Sequence, residues 1–161
     1  MKTLNVLLLI LVLLQVNDSR EWPMHTVCKE DNLEIYYKSC DPQQDFALSI
    51  DHCPDVMTRT FNIRSAIVLR HSIKELYLKA NLIMNGKTIL TYSETICEPG
   101  HSTLIFCGKK KGEQFYYEGP VTLGIAEIPQ GDYTVSVKLT NEDHATVACV
   151  DFTVKYYSDY Y

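Results

Sequence analysis

The sequence predicts an all-β fold, two antiparallel sheets packed face to face, and three observations predict it. From Leu33 onward apolar residues recur with a period of two rather than 3.6, so each segment reads as a strand with one apolar face. Turn-forming residues punctuate these runs at short spacing, at Asn85-Gly86, Glu98-Pro99-Gly100, Pro129-Gln130-Gly131-Asp132 and Asn141 to His144. After the N-terminal leader no segment carries a convincing helical stripe, and eight or nine short strands without helices make a sandwich.

The elements follow in chain order. Lys2, the apolar run from Leu4 to Val16 and the polar Asn17-Asp18-Ser19 read as a signal peptide over residues 1–19. The run is too short for a bilayer span of roughly 20 apolar residues, and no later segment is long enough. Cleavage after Ser19 leaves residues 20–161 as one secreted domain and removes the only glycosylation sequon. Leu33, Ile35 and Tyr37 then alternate with Glu34, Tyr36 and Lys38, and Phe46, Leu48 and Ile50 with Ala47, Ser49 and Asp51. A longer strand puts Phe61, Ile63, Ser65, Ile67 and Leu69 on one face. Leu76, Leu78, Ala80, Leu82 and Met84 share a face of the next, which Asn85-Gly86 closes onto Lys87 to Tyr92. Phe115 to Tyr117 and Val121 to Ile128 continue the pattern. Tyr133, Val135, Val137 and Leu139, then Ala148, Val150, Phe152 and Val154, complete it, and the aromatic, acidic tail Tyr156 to Tyr161 is expected to fray.

All six cysteines (Cys28, Cys40, Cys53, Cys97, Cys107 and Cys149) fall after the leader, an even number in an oxidising compartment, so three disulfides are expected. Six cysteines allow 15 pairings, of which only Cys97 with Cys107 is suggested locally, across Glu98-Pro99-Gly100. No C-x-x-C or H-x-x-x-H pair offers zinc a site. A formal net charge of −5 argues against nucleic acid. Lys109-Lys110-Lys111 is the one basic cluster, either a solvated hairpin tip or a polar lip for an anionic head group or partner. No nucleophile elbow, phosphate-cradling glycine loop or metal-ligand spacing appears, so no catalysis and no metal are expected. Periodicity alone leaves open whether the apolar faces pack against each other or stand apart.

Six segments carry a resemblance: Cys28 to Cys40-Asp41-Pro42, Ile73-Lys74-Glu75-Leu76-Tyr77-Leu78, Ile96-Cys97-Glu98, Phe106-Cys107, Lys111-Gly112-Glu113, and Ile128-Pro129-Gln130-Gly131-Asp132-Tyr133. With these the chain resembles the ML (lipid-recognition) domain family from about Trp22 to Val154. The resemblance implies an immunoglobulin-like sandwich opened into a cup, with lipid held between the sheets. It implies the bridges Cys28–Cys53, Cys40–Cys149 and Cys97–Cys107. It also turns the alternating faces into lipid-binding walls. These would comprise Ile35 and Tyr37, then Leu48 and Ile50, then Ile63 and Ile67, with Leu78, Ala80, Leu82 and Met84 on the next strand. Phe106, Phe115, Tyr117, Val121, Leu123 and Ile128 would follow, and Tyr133, Val135, Val137, Phe152 and Val154 would close the set. At about 24 cal/mol per Å³ of void, a pocket near ~1,000 Å³ would cost on the order of 20 kcal/mol, beyond the ~5–15 kcal/mol of ordinary net stability. A guest is therefore expected.

That guest would be a phospholipid or a lipid A-like molecule. The family's lipopolysaccharide-sensing member carries basic residues where this chain has Leu90, Thr91, Tyr92 and Ser93, and more where it has Gly124, Glu127 and Gln130. Phosphates need Arg or Lys partners, so a weakly charged head fits better. The resemblance further implies a partner, the leucine-rich-repeat ectodomain of a Toll-like receptor homologue. Through it the chain would reach the cell surface and modulate innate immune and lipopolysaccharide responses. Exposed Tyr36, Tyr77 and Tyr116 are candidates for docking. A protein-interaction module with a solid core and a lipid-transfer protein are the alternatives.

Overall fold

The computed structural model describes residues 3, 5–11, 21–54, 60–99, 107–122 and 128–158. Residues 5–11 are helical, and among the described residues no helix is long and apolar enough to cross a membrane. Nine strands follow: β1 (His25–Lys29), β2 (Leu33–Ser39), β3 (Ala47–Ile50), β4 (Thr60–Val68), β5 (Leu76–Met84), β6 (Lys87–Cys97), β7 (Gln114–Thr122), β8 (Gly131–Asn141) and β9 (Thr146–Tyr156). They form two antiparallel sheets, one of six strands in the order β1-β2-β9-β8-β5-β6 and one of three in the order β3-β4-β7.

The strands arise where the alternation predicts them, and the turns where the backbone needs unusual residues. Asn85 (φ 51°) and Gly86 (φ 75°) both sit in the left-handed region, which closes Met84 onto Lys87 in a two-residue hairpin. Four details differ from the sequence reading. β1 is an additional strand, paired to β2. β6 runs on to Cys97, and β7 passes unbroken through Gly119-Pro120. Proline is tolerated there because β7 is an edge strand, paired only to β4. Tyr156 does not fray: it ends β9, 6 % exposed, and the next amide, Tyr157, donates to the carbonyl of Asn32 at 3.0 Å.

The three disulfides are those the resemblance implies, Cys28–Cys53, Cys40–Cys149 and Cys97–Cys107, with Cα atoms 5.3, 4.9 and 5.8 Å apart. Polar anchors tie the segment before β5 to the β8–β9 turn. The Glu142 carboxylate accepts from the amides of Lys74 and Glu75 and from the Ser72 hydroxyl, each at 3.1 Å. Buried Asn141 donates from Nδ2 to the Ser72 carbonyl at 2.9 Å. Burial alone would raise the Glu142 pKa, but its own amide together with these donors outweighs it and holds the carboxyl below its ordinary 4.5. Its contribution is therefore complete above that value and is lost as pH falls through the lowered one. Glu142→Gln is expected to cost about 1–2 kcal/mol near neutrality, allowing for screening of a half-buried group. The deficit relative to the native chain should shrink in urea melts as pH falls below the ordinary carboxylate value and through the lowered one.

Candidate functional site

Directly paired residues of antiparallel strands point to the same side, so the registers define the two facing surfaces. On the larger sheet one row runs Tyr37, Phe152, Val135, Leu82, Leu90, and the next runs Ser39, Val150, Val137, Ala80, Tyr92. A third contains Ile35, Val154 and Tyr133. On the smaller sheet the inner rows are Leu48–Ser65–Tyr117, Ile50–Ile63–Gly119, Ile67–Phe115 and Phe61–Val121.

In a packed sandwich such side chains would be buried against one another. Here no residue of β3, β4 or β7 is buried: the inward positions are half-buried and the outward ones mostly exposed. Leu78, Ala80, Leu82, Val135, Val137 and Phe152 are likewise only half-buried. The buried apolar clusters lie at the two ends, with Tyr37 and Val150 buried between them. One plug consists of Leu33, Cys53, Ile128, Tyr133, Val154 and Tyr156, with Ile35, Leu82, Met84 and Val135 against it. The other consists of Leu69, Ile73, Leu76, Cys97 and Val147, with Ile67, Phe115 and Leu139 against it. On β5 the residues between the plugs are Leu78 and Ala80; on β8, Val137; on β9, Val150 and Phe152. Leu48, Ile50, Ile63, Tyr117 and Val121 belong to neither plug and face this middle zone from the smaller sheet.

Among the described residues the zone is closed on one side and open on the other. β1 and β3 approach within 8 Å, Cα to Cα, closer than the ~10 Å of stacked sheets, and among the described residues no other pair of strands does so across the sheets. β6 and β7 form the opposite edges, and β6 is exposed on both faces from Lys87 to Thr95. The arrangement is a wedge.

Sequence reasoning therefore found the facing residues, though it did not separate plug from wall. Ile128, Tyr133 and Val154 are packed into a plug, and Tyr37 is buried at the closed side. Phe106 and Leu123 lie outside the described residues, as do Gly124 and Glu127. It missed Leu90 and Tyr92, each 54 % exposed, which carry the inner rows out to the open side. Of the docking candidates, Tyr116 is exposed while Tyr36 and Tyr77 are half-buried. Each phenol donates to the carboxylate two residues away, Glu118, Glu34 and Glu75 respectively, and these bonds push all three phenols up. Burial, with Tyr156 adding, pushes the Tyr133 phenol up to about 12. Among the described residues no group of three His, Cys, Asp or Glu side chains could hold a metal. Two hollows indent the outside, about 600 Å³ around the β3 edge and about 560 Å³ over β5, β6 and β8, and both are lined mostly by outward or edge residues.

An apolar wedge whose inner faces are mostly half-buried suits amphiphile tails. A family model described as the ML domain matches residues 34–156. Lymphocyte antigen 86 of Gallus gallus is 75 % identical over 160 residues, covering 99 % of this chain and 100 % of that protein. The Mus musculus protein of the same name is 47 % identical over 133 residues, covering 83 % of this chain and 82 % of its own length. Among solved structures, the crystal structure of chicken MD-1 complexed with lipid IVa superposes with a TM-score of 0.81 at 75 % identity, covering 86 % of this chain and all of that one.

Proposed function

The chain belongs to the ML domain family, and from that premise we propose that it is a secreted lipid-binding accessory subunit of a leucine-rich-repeat receptor. The observation that carries the reading is the unburied inner face of the smaller sheet. Apolar side chains aimed at an opposing apolar sheet yet left half-exposed are stabilised by a guest that removes them from water, at roughly 25 cal/mol per Å². The wall is Leu48, Ile50, Ile63, Leu78, Ala80, Tyr117, Val121, Val137 and Phe152, and Leu90 and Tyr92 meet the guest at the open side. The 75 % identical chicken relative, crystallised with lipid IVa, makes a lipid A-like guest as good a candidate as a phospholipid. The chain binds and does not catalyse. It leaves the cell behind a signal peptide spanning residues 1–19. It associates with the leucine-rich-repeat ectodomain of a Toll-like receptor homologue, as part of innate responses to lipopolysaccharide.

Native mass spectrometry on protein secreted by animal cells and purified without detergent tests the lipid reading. About one lipid-sized adduct per chain is expected, releasable by organic solvent. A bare polypeptide mass, together with failure to take up phospholipid or lipid IVa from vesicles, would sink it. A solid-core interaction module requires buried inner faces, which β3, β4 and β7 lack.

A further inference from the structure

Non-covalent contacts across the closed side of the wedge converge on one tyrosine. Tyr37, on β2 of the larger sheet, is 3 % exposed. Its hydroxyl donates to the carbonyl of Phe46 at 3.0 Å and accepts from the amide of Leu48 at 3.2 Å, bonding a side chain of one sheet to the backbone of the other. Its ring stacks on His25 with centroids 4.7 Å apart and tilts against Phe46 at 5.3 Å. His25, on β1, reaches across as well: Nε2 lies 2.9 Å from Oδ2 of Asp45, in the segment leading into β3. The Cys28–Cys53 bridge staples the same side. Burial pushes the Tyr37 phenol up and the Asp45 charge adds to it, against the bond from Leu48, so the hydroxyl stays protonated and keeps both bonds.

We propose that Tyr37, with His25 and Asp45, is the hinge pin of the wedge, a positioning group that sets how far the sheets splay and so how fast bound lipid leaves. The proposal rests on the lipid-holding reading above. A lipid must pass the open β6–β7 side, and from β2, which carries Tyr37, the larger sheet spans four strand spacings to β6, about 19 Å. At that reach a few degrees of freedom at the pivot displace the rim by about 1–2 Å. Looser contacts at β1 and β3 therefore become a wider mouth.

His25 faces Asp45 and Tyr37, and the hollow beside it is lined by Arg64, itself paired with Glu118, and by Tyr116.

The test loads the full secreted chain with a fluorescent phosphatidylcholine and follows transfer to acceptor phosphatidylcholine vesicles. Tyr37→Phe, which keeps the ring and removes only the hydroxyl, is expected to release lipid about fivefold faster. His25→Ala, which removes the ring stacked on Tyr37 and the contact to Asp45, is expected to speed release in the same direction, whereas His52→Ala, changing a histidine beyond the pin, should leave the native rate. A second readout needs no lipid: nitroxides at Ser93 on β6 and Gln114 on β7 report the width of the open side. The distance distribution should broaden in Tyr37→Phe. Native release rates with an unchanged distribution would overturn the pin. Absence of bound lipid in every variant would overturn the lipid reading instead, while the nitroxide distances still decide on the pin.

Discussion

Phe152→Asp is expected to empty the protein of lipid while leaving much of its fold. Phe152 sits in the middle of the larger sheet's inner face, in the row Tyr37, Phe152, Val135, Leu82, and is only half-buried. A carboxylate there can hydrate inside an unoccupied wedge but not beneath acyl chains, where an uncompensated charge is strongly disfavoured. Lipid occupancy measured by native mass spectrometry should fall more than about tenfold, since each ~1.4 kcal/mol is a factor of ten and the aromatic side chain alone is worth ~1.5–3 kcal/mol of burial. Leu33→Asp makes the contrast. Leu33 is 2 % exposed within a packed plug, and a charge there should abolish secretion outright. Equal damage from both substitutions would mean that the middle zone is as solid as the ends. Normal lipid content in Phe152→Asp would mean that the guest does not lie against this face.

Removing the Cys40–Cys149 bridge is expected to have the largest effect on stability. It joins the residue after β2 to β9 across 109 positions, and closing a loop of that length stabilises by roughly 4–5 kcal/mol in the chain-entropy model. That is comparable to the ~5–15 kcal/mol of a typical domain. The double variant Cys40→Ser with Cys149→Ser should be retained in the secretory pathway, or appear with a urea midpoint shifted far below native. Removing Cys97–Cys107, which closes only 10 positions, should cost about 3 kcal/mol. The reverse ranking of urea midpoints would show that strain or local packing, not loop length, governs these bridges.

Much of this architecture is legible in the chain because strand periodicity reports which way a side chain points. Leu78, Ala80 and Leu82, or Val135 and Val137, could be assigned to one face by counting. Distance is another matter. Alternation says nothing about how far away the opposing sheet lies, so Tyr133 and Val154, which are packed, look the same as Val137 and Phe152, which are not. Leu90 and Tyr92 were hidden by a different cause. The Asn85-Gly86 turn pins Met84 to Lys87, and an unbroken ladder would place Thr91 opposite Ala80 and turn Leu90 outward. The register instead slips between Leu82 and Ile83, leaving Ile89 unpaired, so that Leu90 opposes Leu82 and Tyr92 opposes Ala80. One extra residue inverts every side chain beyond it. β1 went unread because His25-Thr26-Val27-Cys28-Lys29 has no alternation of its own. Ser93 to Thr95 are polar on both faces, in keeping with an edge strand that no strand among the described residues faces across the wedge.

The small three-stranded sheet, with no side chain of its own fully shielded from water, is the least self-sufficient part of the molecule. Its cohesion is largely on loan from whatever cargo occupies the protein. Mass action then makes its rigidity a function of cargo concentration relative to affinity. Amide protons along β4 and β7 would serve as a gauge of loading, slow to exchange in a full carrier and quick in a vacant one. A receptor that touched this sheet could sense through its stiffness whether the carrier it holds is full.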